Sequence, residues 1–437
     1  MIIGFALDKE TNGAYFPSLR SQKNRQDMNR QHLLPIIALL VLGCTALLFG
    51  QPGAPIGEKY RLTGEEQYSE PVHFWLIPDG PEDAAQVRRV GAGQIRQLDA
   101  AAGVPQPEGL LRPFVSANGR YWGTAALSGD PAGDRQLSIA VYEGAGTLRY
   151  RLERVQHYDD PLPLLRLSGR DGALLIARSS TGQVWFYDRR GALLREVELF
   201  PNLAYDLERI VALEVSANAK SVAVLAGKRG ASPAGSDAPN PSAEPHLFLF
   251  SAEGELRWQQ PLNEYTPGAL AVSPEGNYLA AAGYTIDVDG RITQRSVIYD
   301  RAGEIVMELP RRFELAYFSA DEQFLLLTGK KSTQLIDLKS GAVRWERQIS
   351  RNKEQICAVR VAGGARTIAL LSAVSEYGPN GFVFNYPHLE ILGRNGDLLQ
   401  ELTFPEAEFR EPALLLAPDA QTLFIGFQHQ HLIYRAQ

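Results

Sequence analysis

Cysteine is nearly missing from this chain: only Cys44 and Cys357 occur in 437 residues. So few cysteines exclude a disulfide-stapled scaffold and a Cys-rich zinc module. Positive charge is not in excess either. The 44 Lys and Arg stand against 50 Asp and Glu, for a net charge of -6. The basic footprint of a nucleic-acid-binding protein is therefore absent, and no nucleic-acid partner is expected. Apart from one segment, no apolar run is long enough to cross a bilayer, which excludes a polytopic membrane protein. Catalytic signatures are missing as well: there is no Walker loop, no Gly-x-Ser-x-Gly elbow and no His-Glu-x-x-His. Of the seven histidines only His429 and His431 lie close together, and two ligands without a third read as a surface pair rather than a metal site. Asp287-Val288-Asp289-Gly290 reads as a hairpin tip rather than a calcium loop. Asp159-Asp160 diverge in an extended chain, as consecutive residues do. No metal and no cofactor is expected. What is present is the composition of an ordinary globular protein, 45% hydrophobic and 22% charged.

The exceptional segment is Leu33 to Phe49, a 17-residue uncharged run near the lower limit for a membrane-spanning helix. Arg20, Lys23, Arg25 and Arg30 precede it, and Lys59 and Arg61 lie beyond it. This asymmetry keeps residues 1–31 cytoplasmic and exports the chain beyond the segment at 32–50. Met28 opens a stretch that by itself reads as a signal sequence, so residues 1–27 are either a tail or an extension from a misplaced start. Val41-Leu42-Gly43-Cys44 resembles a bacterial lipobox, which makes Cys44 a candidate lipidation site. An uncleaved signal anchor ranks first, a lipoprotein second and free secretion third; all three place the rest of the chain outside the cytoplasm. Residues 1–50 carry five basic and three acidic groups, which leaves -8 on the exported part. An acidic polymer or an anionic membrane surface is thus a poor partner for it.

Repetition decides the fold class. Two apolar stretches flank a short Gly-containing turn at 138–153, 184–199, 247–262, 296–310, 334–349 and 389–404. Before each comes another pair of apolar strands around a small or polar turn, and a seventh such pair stands near the carboxyl end. These turns centre on Asn118, Asp171, Asn218, Glu275, Asp321, Gly363 and Asp419, about 50 residues apart. That is the length of a four-stranded propeller blade. Seven first halves and six second halves leave one blade short of its outer strand. Gly93 to Leu98 has the spacing of an outer strand, so the expected architecture is an all-β, seven-bladed propeller over 93–437, closed by an amino-terminal strand. Residues 51–92 are then a linker and pre-propeller segment. Val72 to Ile77 reads as a strand without a place, which leaves room for an eighth, partial blade.

Ser273 to Ala280, Ser319 to Leu326 and Ala417 to Phe424 resemble the first-hairpin signature of WD40-type repeats. Ile336 to Trp345, and Phe250 to Trp258, resemble the tryptophan-containing repeat of quinoprotein-like propellers. The resemblance implies the fold over most of the chain. Such propellers host enzymes, scaffolds and sensors alike, so it does not single out a function. No Trp-Asp dipeptide and no vicinal cysteine pair occurs, and no bound quinone is implied.

In such a ring the loops between second and third strands share one face with the connectors between blades. Every long insertion falls there: 128–136, 227–245, 285–295 and 374–387. This loop face is the expected binding face. Its candidate residues are Tyr377, Phe382, Phe384 and Tyr386 on the last insertion, and Tyr158, Asp159, Asp160, Tyr205, Tyr265, Arg312, Phe313, Arg351 and Phe409 on the connectors. Aromatic side chains bring large contact area at small entropy cost. The expected function is a non-enzymatic, membrane-tethered module that binds a protein or peptide outside the cytoplasm. The competing readings are a hydrolase or lyase with its site in the central funnel, and an envelope-assembly lipoprotein resembling the quinoprotein-like scaffold of outer-membrane protein insertion.

Overall fold

The computed structural model describes residues 60–437 except 69–71, 79–84, 105–112, 131–132, 158–159, 161, 200–209, 228–244, 263–265, 288, 352, 363, 379–380, 411–412 and 428–429. The Leu33 to Phe49 run and Cys44 lie outside these residues.

Seven antiparallel sheets succeed one another along the chain. Blade 1 is Phe114–Val115, Tyr121–Ser128, Arg135–Glu143 and Thr147–Gln156. Blade 2 is Leu164–Leu167, Leu174–Arg178, Gln183–Tyr187 and Leu193–Glu198; blade 3 is Ile210–Val215, Ser221–Ala226, His246–Ser251 and Leu256–Pro261. Blade 4 is Thr266–Val272, Tyr278–Ile286, Ile292–Asp300 and Ile305–Leu309; blade 5 is Leu315–Phe318, Phe324–Thr328, Ser332–Asp337 and Val343–Gln348. Blade 6 is Glu354–Ala362, Thr367–Gly378, Gly381–Gly393 and Leu398–Thr403, with Glu408–Phe409 added on its third strand. Blade 7 is Ala413–Leu416, Thr422–Gly426 and Gln430–Ala436, completed by Tyr60–Gln67. First strands of successive blades are neighbours from blade 1 through blade 7, so they line a central axis. Burial follows from this placement. In blade 5 the second strand is buried at every position, because blades cover both its faces, whereas the outer strand Val343–Gln348 alternates.

The seven-bladed ring and its amino-terminal closing strand are as the repeat predicts, but the closing strand is a different segment. Tyr60–Gln67 pairs antiparallel with Gln430–Ala436, inside the stretch read as a linker. Gly93 to Leu98 lies instead within a helix, Ala92–Ala101. Ala, Gln, Leu and Arg favour a helix, and Ile95, Leu98 and Ala102, the last just past its end, recur at helical rather than alternating spacing.

One contact recurs between blades. Where the third and outer strands pair, the register shifts by one residue near the turn in blades 1 to 6. Just beyond this bulge stand Tyr150, Arg195, Trp258, Met307, Trp345 and Gln400. The first five reach the turn glycine of the next blade. A Cβ on Gly191, Gly254, Gly303, Gly341 or Gly396 would stand 2.8 to 3.4 Å from the nearest side-chain atom, and that atom belongs to the docked residue at all but Gly254. At Gly254, Phe186 comes nearest and Arg195 stands 3.1 Å away. Trp258 and Trp345 also donate Nε1–H to the carbonyls of Arg301 and Arg394, at 3.0 and 2.7 Å. The turns need glycine twice over, since Gly396 also has φ +82°.

At the last two junctions the contact is replaced. Blade 7 has no third-to-outer turn, and Gln400 of blade 6 pairs its side-chain amide with Tyr60, accepting from N–H at 2.7 Å and donating to C=O at 2.8 Å. Between blades 7 and 1 lies a cap, the hairpin of Val72–Pro78 with Ala85–Gly91 followed by the helix. Leu98 of the helix covers Gly146 of blade 1, with a Cβ there 2.7 Å away, and Trp75 donates to the Gly119 carbonyl at 2.9 Å. Trp75, Ile95, Trp122 and Tyr142 share one buried cluster, while Val72 packs with Leu415 and Phe424 of blade 7. The unplaced strand is therefore half of a two-stranded wedge, not a full eighth blade.

Asp99 of the cap helix is fully buried, and its Oδ1 accepts from Thr124 and Tyr142 at 2.6 Å each. Burial raises its pKa above the ordinary carboxyl value, although both hydrogen bonds work the other way. The folded state thus holds this proton more tightly than the unfolded chain. The stabilisation is complete below the unfolded pKa and is lost as pH rises through the folded one.

Trp345→Ala is expected to destabilise the ring by about 2–3 kcal/mol, and Gly396→Ala by about 1–2 kcal/mol. A double-mutant cycle by urea unfolding should show the pair to be coupled, because the alanine methyl no longer meets an indole. Asp99→Asn should unfold at higher urea than wild type at pH 7 and lose that advantage at pH 4. A variant weaker at both pH values would refute the assignment.

Candidate functional site

The loop face collects what the repeat does not need. Two of the four insertions are continuations of the sheet rather than loops. In blade 4 the second and third strands pair out to Ile286 opposite Ile292, and Asp287 Oδ1 accepts from the N–H of Asp289 and Arg291 at 3.0 and 2.8 Å to close the tip. This is the hairpin tip expected there. In blade 6 the ladder runs to Gly378 opposite Gly381. The insertion at 228–244 lies outside the described residues.

Along the blade 6 arm Phe382, Phe384 and Tyr386 stand two residues apart, the spacing of one face of a regular strand, yet they are not placed alike. Phe384 turns inward, stacks on Phe409 with ring centroids 5.2 Å apart, and is braced where Glu408–Phe409 pairs with Phe384 and Asn385. Tyr377 and Phe382 meet edge to face at 5.3 Å and stand out, Tyr377 79% exposed. Tyr386 is also exposed and sits at φ +55°, a left-handed conformation costly for a bulky side chain. Phe384 and Phe409, both predicted as contact residues, are packing residues instead, and so is Phe313, 2% exposed.

Two predicted polar residues serve the scaffold. Asp160 is buried and accepts from the Arg178 guanidinium and the Ser180 hydroxyl. Arg351 bonds Glu401 and lies 3.8 Å from Glu354. Tyr158, Asp159, Tyr205 and Tyr265 lie outside the described residues.

Near Arg351 is a titratable group that the sequence did not single out. His388 is 2% exposed, with Nε2 2.5 Å from Glu401, and Ser372 Oγ donates to Glu354 at 2.8 Å. Burial and the Arg351 charge hold His388 below the usual imidazole value, against the pull of Glu401. Burial would raise Glu401, but Arg351 and His388 outweigh it and leave the carboxyl lowered. The serine faces a carboxylate rather than an imidazole base, and Arg351 closes the group at a partly exposed edge. It is a partly buried ion-pair network that ties the four strands of blade 6 to the blade 5–6 connector. The second histidine read as a surface residue is also internal: His431 is 3% exposed and stacks on Phe424 at 5.0 Å and on Tyr68 at 5.2 Å. His429 lies outside the described residues. Cys357 is buried, which pushes its thiol up to about 12. Among the described residues no group of three or more His, Cys, Asp or Glu is placed to hold a metal ion.

Between blades 4 and 5 the loop face opens a cavity of about 370 Å³. It arises because a three-residue connection, 329–331, stands beside the longer blade 4 arm. Arg311, Arg312, Lys330, Gln334 and Glu314 line it, over Phe313. Arg312 donates to Glu314 at 2.8 Å and lies over the Tyr284 ring, and Arg311 bonds Glu346 at 3.1 Å. Arg312 and Phe313 were among the predicted residues. Lys330 and Gln334 carry weak signals in sequence, a lysine in a tight turn and a glutamine in a mostly polar strand.

No protein-family model and no curated protein sequence matches the chain. In fold it is similar to the crystal structure of the C-terminal WD40 domain of Sif2, at 10% identity and a TM-score of 0.48, covering 87% of this chain and 99% of that one. The seven four-stranded blades and their closing strand stand on the strand pairing itself.

Asp160→Ala leaves the half-buried Arg178 without its partner. The expected loss is about 3 kcal/mol, read as a lower urea midpoint.

Proposed function

We propose that this protein is a membrane-tethered, extracytoplasmic propeller that holds a protein or peptide partner on its loop face. Propellers of the WD40 type are typically protein-binding scaffolds. The observation that carries the reading is where the chain enters the ring. Tyr60 begins its strand at the face opposite the loop face, where its hydroxyl donates to Ala420 in the first turn of blade 7 at 2.5 Å. Ten residues separate it from the apolar run ending at Phe49. Fully extended they reach about 35 Å. A propeller anchored by that run stands with its short turns toward the bilayer and its arms and cavity away from it. Around the short-turn rim Leu148, Leu194, Leu256, Ile305 and Val343 are exposed at the starts of outer strands, an apolar collar on the side that faces lipid. On the far side Tyr377, Phe382 and Tyr386 offer aromatic contact area on a braced arm.

Fractionation tests the tether. The full chain should stay in the membrane pellet through high salt and be released when residues 1–50 are removed, while Cys44→Ser and a fatty-acid label distinguish a lipid anchor from a helical one. Crosslinking and capture test the face: Tyr377→Ser with Phe382→Ser should lower partner recovery at least tenfold without moving the melting temperature. Unchanged recovery would remove the arm from the reading.

A further inference from the structure

The cavity between blades 4 and 5 has an unmet chemistry of its own. Three cations, Arg311, Arg312 and Lys330, line it against one carboxylate, Glu314. Arg311 shares its charge with Glu346 and Arg312 with Glu314, but Lys330 has no ion-pair partner among the described residues. Gln334 is 4% exposed, and its Nε2–H donates to Glu346 Oε2 at 2.8 Å. That bond fixes which end of the amide is oxygen. The remaining Oε1 is buried and accepts from no donor among the described residues. A buried acceptor without a donor is rare enough to ask what supplies one. The lining thus calls for a ligand that brings a negative charge and an N–H together. The volume lies at the lower end of the range for ligand pockets, about 300–1,000 Å³, which suits one or two amino-acid residues.

We propose that this cavity captures a carboxylate of the peptide partner at Lys330 and Arg311, with an amide N–H of the same peptide donated to Gln334 Oε1. The assignment rests on the reading of the loop face as the partner surface, and names the chemistry recognised there. It places the specific polar contact about one blade away from the aromatic arm of blade 6, so that one partner segment crossing the loop face meets both. A carboxyl terminus and an internal acidic side chain offer the same carboxylate, and the experiment separates them.

Three fluorescein-labelled probes are titrated against the full chain in detergent and monitored by polarisation: tetra-alanine with a free carboxyl terminus, the same peptide amidated, and an amidated peptide with a central glutamate. At least one charged probe should bind ten or more times tighter than the neutral one. Binding of the first alone assigns the terminus, and binding of the glutamate probe assigns the side chain. Lys330→Met, an exposed position that folding does not need, should weaken the charged probe about tenfold. Gln334→Met should weaken it too, with an unchanged melt as control. Equal binding of the neutral probe, no binding of either charged probe, or charged binding unaltered by Lys330→Met overturns the proposal. If that happens while partner capture still depends on Tyr377 and Phe382, the loop-face reading stands and the cavity assignment alone falls.

Discussion

The ring depends on one contact made again and again: a side chain from the outer strand of a blade laid over the turn glycine of the next. The contact needs no particular chemistry above the glycine. Indole, phenol, thioether and the aliphatic stem of an arginine all serve, at Trp258, Tyr150, Met307 and Arg195. What it needs is a flat, open backbone below, and a bulge that aims the side chain there. The requirement is therefore strict on the glycine and loose on its partner. Blades bury both faces against their neighbours, and the same lock recurs at five of the seven junctions.

The same requirement explains the cap. A ring that ends on an amino-terminal strand has no third-to-outer turn in its last blade, and its first blade has no predecessor of ordinary shape. Gln400 solves the first problem with an amide that reads the backbone of Tyr60. The helix solves the second, with Leu98 in the position an outer strand would have filled. Strand and helix are interchangeable here because only the docked side chain matters to the glycine beneath it.

Period and turn chemistry made the blades legible in the sequence, since each first turn and each Gly-containing hairpin has its own local signal. Gly93 to Leu98 had the right spacing for the wrong element: six residues are too few to tell a helical from an alternating pattern. Tyr60–Gln67, with its run of polar residues, gave no sign that it completes a sheet, because its partner lies at the other end of the chain. Along the blade 6 arm the aromatics were visible, but which of them turn inward depends on pairing with Glu408–Phe409, a two-residue strand that no pattern announces. The cavity was hidden for a similar reason. Lys330 and Gln334 become neighbours of Arg311 only when two blades meet.

The closing strand sets an order of events in time. Tyr60–Gln67 lies close behind the apolar run, so it is made early, yet its partner is the final strand, Gln430–Ala436. At about 5–20 residues per second, a ribosome reaches that partner roughly 20 to 70 seconds later. Throughout that interval the protein is an open fan with an unpaired strand at its first-made end and an unpaired sheet at its growing end. Any truncation before residue 430 leaves both of those edges unmatched, so a shortened chain is an aggregation hazard rather than a smaller propeller.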